Sequence, residues 1–198
     1  MNNQGLIVDV VRAGDEHIAA MMELQIAEFG PGWGSESDMR SKCALGGAWV
    51  ALLEGRVVGL RVALPPEAWA PDMWADLAPC SPDKWREKGF ERLALAKAVI
   101  VDRSVQGKGV GEQLLTRSFE QARREWKCDG MVVHVWCSSE GAVRIAKKKR
   151  NFVPFVEIAE HKDAWMKYSI DADWNCFYCG KPCRCAAIEA VYDLRQLE

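Results

Sequence analysis

Short apolar runs alternate with longer stripes of 3.6-residue period along the chain. Leu6–Val11 reads as an opening strand, with Gly14 marking the turn after it. Ile18, Met21, Met22, Ile26 and Phe29 then recur at helical spacing, and Asp15 stands where an N-cap belongs. The breaker sequence GPGWGS ends that helix, and Ser35 is placed to cap a second, shorter one. AWVALLEGRVVGLRVALPP reads as two strands joined at Glu54-Gly55 and ended by Pro65 and Pro66.

Residues 65–89 form a long connection containing Trp69, Trp74 and Trp85, and links of that length in compact domains normally contain helical pieces or do a job. Arg92–Asp102 is almost continuously apolar, as in a strand buried on both faces. A long amphipathic helix follows, with Leu114, Leu115, Phe119, Ala122 and Trp126 on one face. Gly130–Ser139 is a further buried strand, EGAVRIAKKKR a short helix and FVPFVEI a strand. Either WMKYSI or AAIEAVYDL supplies the last strand. Hairpins first and strand–helix–strand units afterwards predict an α/β (α+β) fold, a mixed central sheet with helices on both faces.

Composition narrows the class. The chain has 198 residues, enough for one sizeable core, and its net charge of −2 offers no general attraction to nucleic acid or an anionic membrane. No apolar run approaches the roughly 20 residues that span a bilayer, and the first residues do not read as a signal peptide. The expected location is therefore cytoplasmic, where cysteines are reduced thiols or metal ligands.

The most informative stretch is VIVDRSVQGKGVGEQLL, which joins a buried strand to the long helix through Gly107, Gly109 and Gly111. Glycines let the backbone approach a ligand closely, and the unsatisfied amides of a helix start attract phosphate oxygens. A Walker loop would need Ser or Thr after Lys108, where Gly109 stands. The dinucleotide fingerprint needs G-x-G-x-x-G, and here the spacing is G-x-G-x-G. Gln106-Gly107-Lys108-Gly109-Val110-Gly111 instead resembles the Q/R-x-x-G-x-G/A signature of the GNAT superfamily of acetyl-coenzyme A-dependent N-acetyltransferases. Val101, five residues before Gln106, matches the apolar residue at the end of that family's fourth strand. The element order resembles the GNAT fold over roughly residues 5–158.

The resemblance implies a sheet of about seven strands and a GNAT-like domain over 1–158, with 159–198 a C-terminal extension packed on it. It implies direct acetyl transfer from acetyl-CoA to a primary amine of a small molecule or peptide. The alternative is a zinc-stabilised binding or regulatory module that holds acyl-CoA without catalysis. The amides of Gly107, Lys108, Gly109, Val110 and Gly111, with the Gln106 side chain, would hold the pyrophosphate. Strand four near Val99–Val101 would pair with the pantetheine arm, and a backbone N–H there, assigned to Val101, would polarise the thioester carbonyl. Strands four and five would splay to admit the cofactor.

An alkylamine must lose a proton before attack, and the departing thiolate must gain one. The family's usual acid is a tyrosine on the helix after strand five. Aligned on Phe152, that position holds Lys147, and Glu140 replaces the usual asparagine. Lys147 can donate a proton, or simply belongs to the basic surface run KKKR. His134 in a buried strand is a candidate base or a satisfied core histidine, and Glu91 and Glu28 lie where acceptor-side residues fall. Cys137 is a candidate thioester contact or an apolar filler. No base is assigned. Trp69, Trp74 and Trp85 wall an acceptor site, or pin the connection or fill a homodimer contact.

Near the end, CFYCGKPCRC places Cys176, Cys179, Cys183 and Cys185 within ten positions. One structural zinc held by all four is the first expectation, since closed four-thiolate sites are structural. The second pair follows too soon for a zinc ribbon, so metal-free thiols or disulfides, or an iron–sulfur or redox role, stay open.

Overall fold

The structure is a computed structural model that describes residues 6–69, 80–137, 153–176 and 178–197. Its seven strands form one mixed sheet in the order β1-β2-β3-β4-β5-β7-β6, flanked by helices. The chain divides into two compact units, Met1–Leu64 with Lys97–Gln121, and Pro65–Ala96 with Ala122–Glu198.

In the first unit, β1 (Asp9–Arg12) pairs antiparallel with β2 (Ala48–Leu53), and β2 with β3 (Arg56–Leu64). The β2–β3 turn has Glu54 at φ 51° and Gly55 at φ 77°, the doubly left-handed conformation that lets a two-residue loop follow strand twist. A short 3-10 turn (Asp15–His17) precedes α1 (Ile18–Phe29), so Gly14 is the N-cap of the turn and His17, not Asp15, that of α1; the Gly14 N–H donates to His17 Nδ1 at 3.0 Å. Ser35 caps α2 (Glu36–Ala44) as its position suggests, accepting from Asp38 N at 3.2 Å. Ile18, Met21 and Met39 pack with Val50, Leu60 and Ile100 of the sheet. The last part of β4 (Leu93–Val101) and the main part of α4 (Val110–Arg124) complete this unit, with Val110 and Leu114 packed against Val58 and Val105.

The second unit contains α3 (Pro82–Glu87), the start of β4, β5 (Gly130–Trp136), β6 (Phe155–His161), α5 (Met166–Asp171) and β7 (Ala187–Asp193). The parallel β4–β5 ladder covers Leu93–Ala96 against Gly130–Val133 and ends there, although β4 runs on to Val101. AAIEAVYDL supplies the last strand and WMKYSI forms helix α5. The segment expected as a C-terminal extension therefore places β7 inside the sheet, between β5 and β6. The β6–β7 register shifts between Glu157 and Ala159, a bulge with a consequence for the site below. Trp126 lies beyond the end of α4. The expected helix EGAVRIAKKKR and Trp74 lie outside the described residues. Among the described residues no helix is long and apolar enough to cross a membrane.

Gly59 on β3 leaves no room for a side chain. A Cβ there would stand 3.0 Å from Leu114 Cδ1 and 3.2 Å from the Ile100 carbonyl, which cannot move without disturbing its strand. Gly59→Val should lower unfolding free energy by about 1–3 kcal/mol, read as a lower urea midpoint at unchanged slope.

Candidate active site

The turn between β4 and α4 is built by its own side chains. Asp102 accepts from Ser104 N at 2.9 Å and Ser104 Oγ at 2.6 Å, closing a short 3-10 turn (Arg103–Val105). Gln106 Nε2 donates to the Val101 carbonyl at 2.9 Å, tying the turn back to the strand end; its second N–H remains for a ligand. Lys108 Nζ donates to Ser104 O at 3.1 Å. Gly107 and Gly109 take φ of 74° and 85°, the left-handed region that side chains resist. A Cβ on Gly107 would meet nothing within 4 Å, so the glycine answers a backbone need and leaves the outer side of the turn open. The chain's beginning clamps the turn from the other side: Leu6 N donates to Lys108 O at 2.8 Å and Gln113 Nε2 to Leu6 O at 2.7 Å. The first amides of α4 have no acceptor within the helix, and they carry the positive end of its dipole.

Beside this turn, Leu24, Ala27 and Glu28 of α1 face Ile100, Val101, Asp102 and Arg103 across a cavity of about 270 Å³. Glu28, an acceptor-side candidate, thus lies with Val101, while Val99 is exposed on the same strand end. The sequence reading passed over Lys97, although a lysine inside ALAKAVIV is visible in the chain. Burial pushes its ammonium down to about 7, with Lys42 adding to the effect and Asp38 opposing it; Lys42 itself pairs with Asp38.

In the second unit the candidates separate. Glu91 is exposed and lines a cavity of about 470 Å³ with Trp69, Trp85, Arg86, Phe90 and Arg92. Trp69 donates to Leu93 O at 3.0 Å and meets Trp85 edge to face at 5.8 Å, so these two indoles fasten the connection and also form a cavity wall. His134 on β5 stands opposite Glu189 on β7, with Cys80 Sγ 4.0 Å from its Nε2. Burial, then the neighbouring Glu189, pushes the Cys80 thiol up to about 12. Cys137 is half-buried and packs beside Val135 and Ile188. Lys147 and Glu140 lie outside the described residues.

The four C-terminal cysteines do converge. Cys176 and Cys185 sulfurs are 3.8 Å apart, Cys179 and Cys183 3.7 Å, and Cys179 and Cys185 3.5 Å. Four sulfurs at about 2.3 Å from one tetrahedral ion stand about 3.8 Å apart, whereas a disulfide needs about 2.05 Å. Gly180 (φ 77°) makes the bend, and Cys183 N donates to Ser169 Oγ at 2.8 Å. Trp136 meets Trp174 at a tilt, with ring centroids 5.5 Å apart, and Tyr178 edge to face at 5.6 Å, fixing the loop to β5.

Sequence comparison matches residues 18–152 to the acetyltransferase (GNAT) family, and the chain belongs to that family. It is a family of acetyltransferases, whose usual co-substrate is acetyl-CoA. No curated protein matches the chain. Among solved structures, an agmatine N-acetyltransferase in its apo form is 18% identical, with 93% of this chain and 98% of that one covered and a TM-score of 0.63. A Drosophila melanogaster polyamine N-acetyltransferase that forms N-acetylagmatine is 17% identical, with coverage of 94% and 100% and a TM-score of 0.63. A putative acetyltransferase from Salmonella typhimurium, solved with acetyl-CoA, is 15% identical, with coverage of 98% and 97% and a TM-score of 0.62. At these identities the likeness is one of fold.

Lys97 gives a sign-definite test. Its folded-state pKa near 7 lies below the roughly 10.4 of an exposed lysine, so between these values the unfolded chain binds more protons. Stability should therefore rise with pH from about 7 to about 10, and Lys97→Met should flatten that rise in urea titrations across the range.

Proposed function

We propose that this acetyltransferase moves the acetyl group of acetyl-CoA directly to a primary amine of a small molecule or peptide. The observation that carries the reading is the β4–α4 turn, where Gly107 and Gly109 adopt left-handed conformations at the start of a fifteen-residue helix. Amides of residues 107–111 and the second N–H of Gln106 would receive the pyrophosphate oxygens. Val99 and Val101 would offer their backbone to the pantetheine arm, with the Val101 N–H directed to the thioester carbonyl as its oxygen gains charge in attack. The small-amine reading is supported by Glu28, a carboxylate beside Val101 that would attract an ammonium, and by the polyamine and agmatine activities named for two structural relatives. The proton carrier is left unassigned: Glu91 lines the cavity walled by Trp69 and Trp85, and Lys147 lies outside the described residues.

Acetyl-CoA should raise the melting temperature of the protein, and Gly109→Glu should abolish that rise by adding a side chain and a negative charge where the phosphate would sit. Release of CoA thiol should depend on an added amine, measured against a panel of diamines, aromatic amines and peptides. Absence of both turnover and thermal shift would overturn the enzyme reading.

The Cys176, Cys179, Cys183 and Cys185 set fits one zinc ion by donor type and spacing. With all four positions taken by thiolates the ion has no site for substrate, so its proposed role is to staple the loop beside β5 and α5. Cys183→Ser should lower the melting temperature and release zinc to a colorimetric chelator, while an unchanged melting curve would defeat the staple.

A further inference from the structure

Three distant parts of the second unit bring different donor atoms to one place. Cys80 lies two residues before the start of α3, His134 on β5 and Glu189 on β7, and their ligand atoms all lie within 4.8 Å of one another. Register explains two of the three: His134 and Glu189 are directly opposite in the antiparallel β5–β7 ladder, and so share a face.

The Glu189 carboxylate is fully buried, and its surroundings hold it in one orientation. Ser81 N donates to Oε1 at 2.9 Å, so the backbone next to Cys80 grips the carboxylate beside the thiol. His161 Nε2 lies 2.7 Å from Oε2. The β6 bulge makes that contact. Glu157 pairs with Ala190 and Ala159 with Glu189, so the extra residue shifts the alternation and turns His161 onto the Glu189 face. Each carboxylate oxygen accepts one of these bonds and keeps a further lone pair for another partner.

We propose that Cys80, His134 and Glu189 form a second metal site, separate from the four-thiol loop, for a divalent ion of the zinc class. The donor set is one sulfur, one imidazole nitrogen and one carboxylate oxygen, which suits zinc or cobalt and not the all-oxygen preference of magnesium or calcium. A thiolate and a carboxylate together neutralise a dication, so the loaded site carries no net charge in a buried setting. On loading, the Cys80 S–H proton leaves to solvent and the sulfur takes up the metal bond. Tetrahedral zinc would set sulfur and imidazole nitrogen about 3.6 Å apart. The observed 4.0 Å between Cys80 Sγ and His134 Nε2 needs to close by only a few tenths of an ångström. His161 acts through Glu189 and orients it, as partners behind metal ligands do. Three protein ligands leave a fourth position for water or another small lone-pair donor, which the four-thiolate loop lacks.

The test is zinc content together with the zinc-edge X-ray absorption of the full chain, reduced, loaded with zinc and freed of excess. With both sites filled, about two ions per chain and an average of about 2.5 sulfurs per ion are expected, one site having four and the other one. One ion per chain with four sulfurs, or no retained zinc, overturns the proposal. One ion with a single sulfur supports it and defeats the C-terminal staple instead. Cys80→Ser and, separately, the near-isosteric Glu189→Gln should each remove one equivalent from the wild-type total and leave circular dichroism unchanged. Full zinc retention in a folded Cys80→Ser protein overturns the assignment.

Discussion

The first turn of a helix carries amide donors that the helix cannot satisfy, and the first unit is organised around those of α4. The strand before it ends in an Asp102 turn that satisfies its own hydroxyl and amide donors internally. Gln106 anchors the loop to the strand end, and two glycines take conformations that turn the backbone toward α4. Ile100 and Val105 hold the underside in the apolar core. What is left exposed on this turn is donor-rich, preorganised backbone, the feature on which the proposed pyrophosphate contact rests.

Much of this was legible because it is local. Glu54-Gly55, the Ser35 cap, the apolar β4 run and the glycine turn each state their conformation within a few residues. The cysteine loop also announced its own convergence, since ten residues with a glycine bend can hardly keep four thiols apart. Non-local pairing was hidden. Nothing within AAIEAVYDL says that β7 will lie between β5 and β6, and WMKYSI has strand-like residues yet folds as helix α5. The Cys80, His134 and Glu189 grouping depends on a ladder register and a bulge, which are set by partners far away in sequence. Lys97 is a different case: the signal was in plain view as a lone charge in an apolar strand, and burial is what gives it meaning.

The two cysteine-bearing clusters of the second unit differ in kind. The C-terminal loop gathers four identical soft donors from one short segment, so its geometry is set by the loop and the aromatic rings around it. The Cys80 cluster gathers unlike donors from a segment before a helix and from two strands, so its geometry is set by the sheet. A change in the second would be felt along β5 and β7, which exchange partners over their whole length.

The clamp formed by Leu6 has a mechanical reading. Its N–H and carbonyl bond to the glycine turn and to the start of α4, so Leu6 acts as a strap across that loop. A displacement of Leu6 would be felt at Lys108 and Gln113 together, so the first strand's approach and the glycine turn move as one.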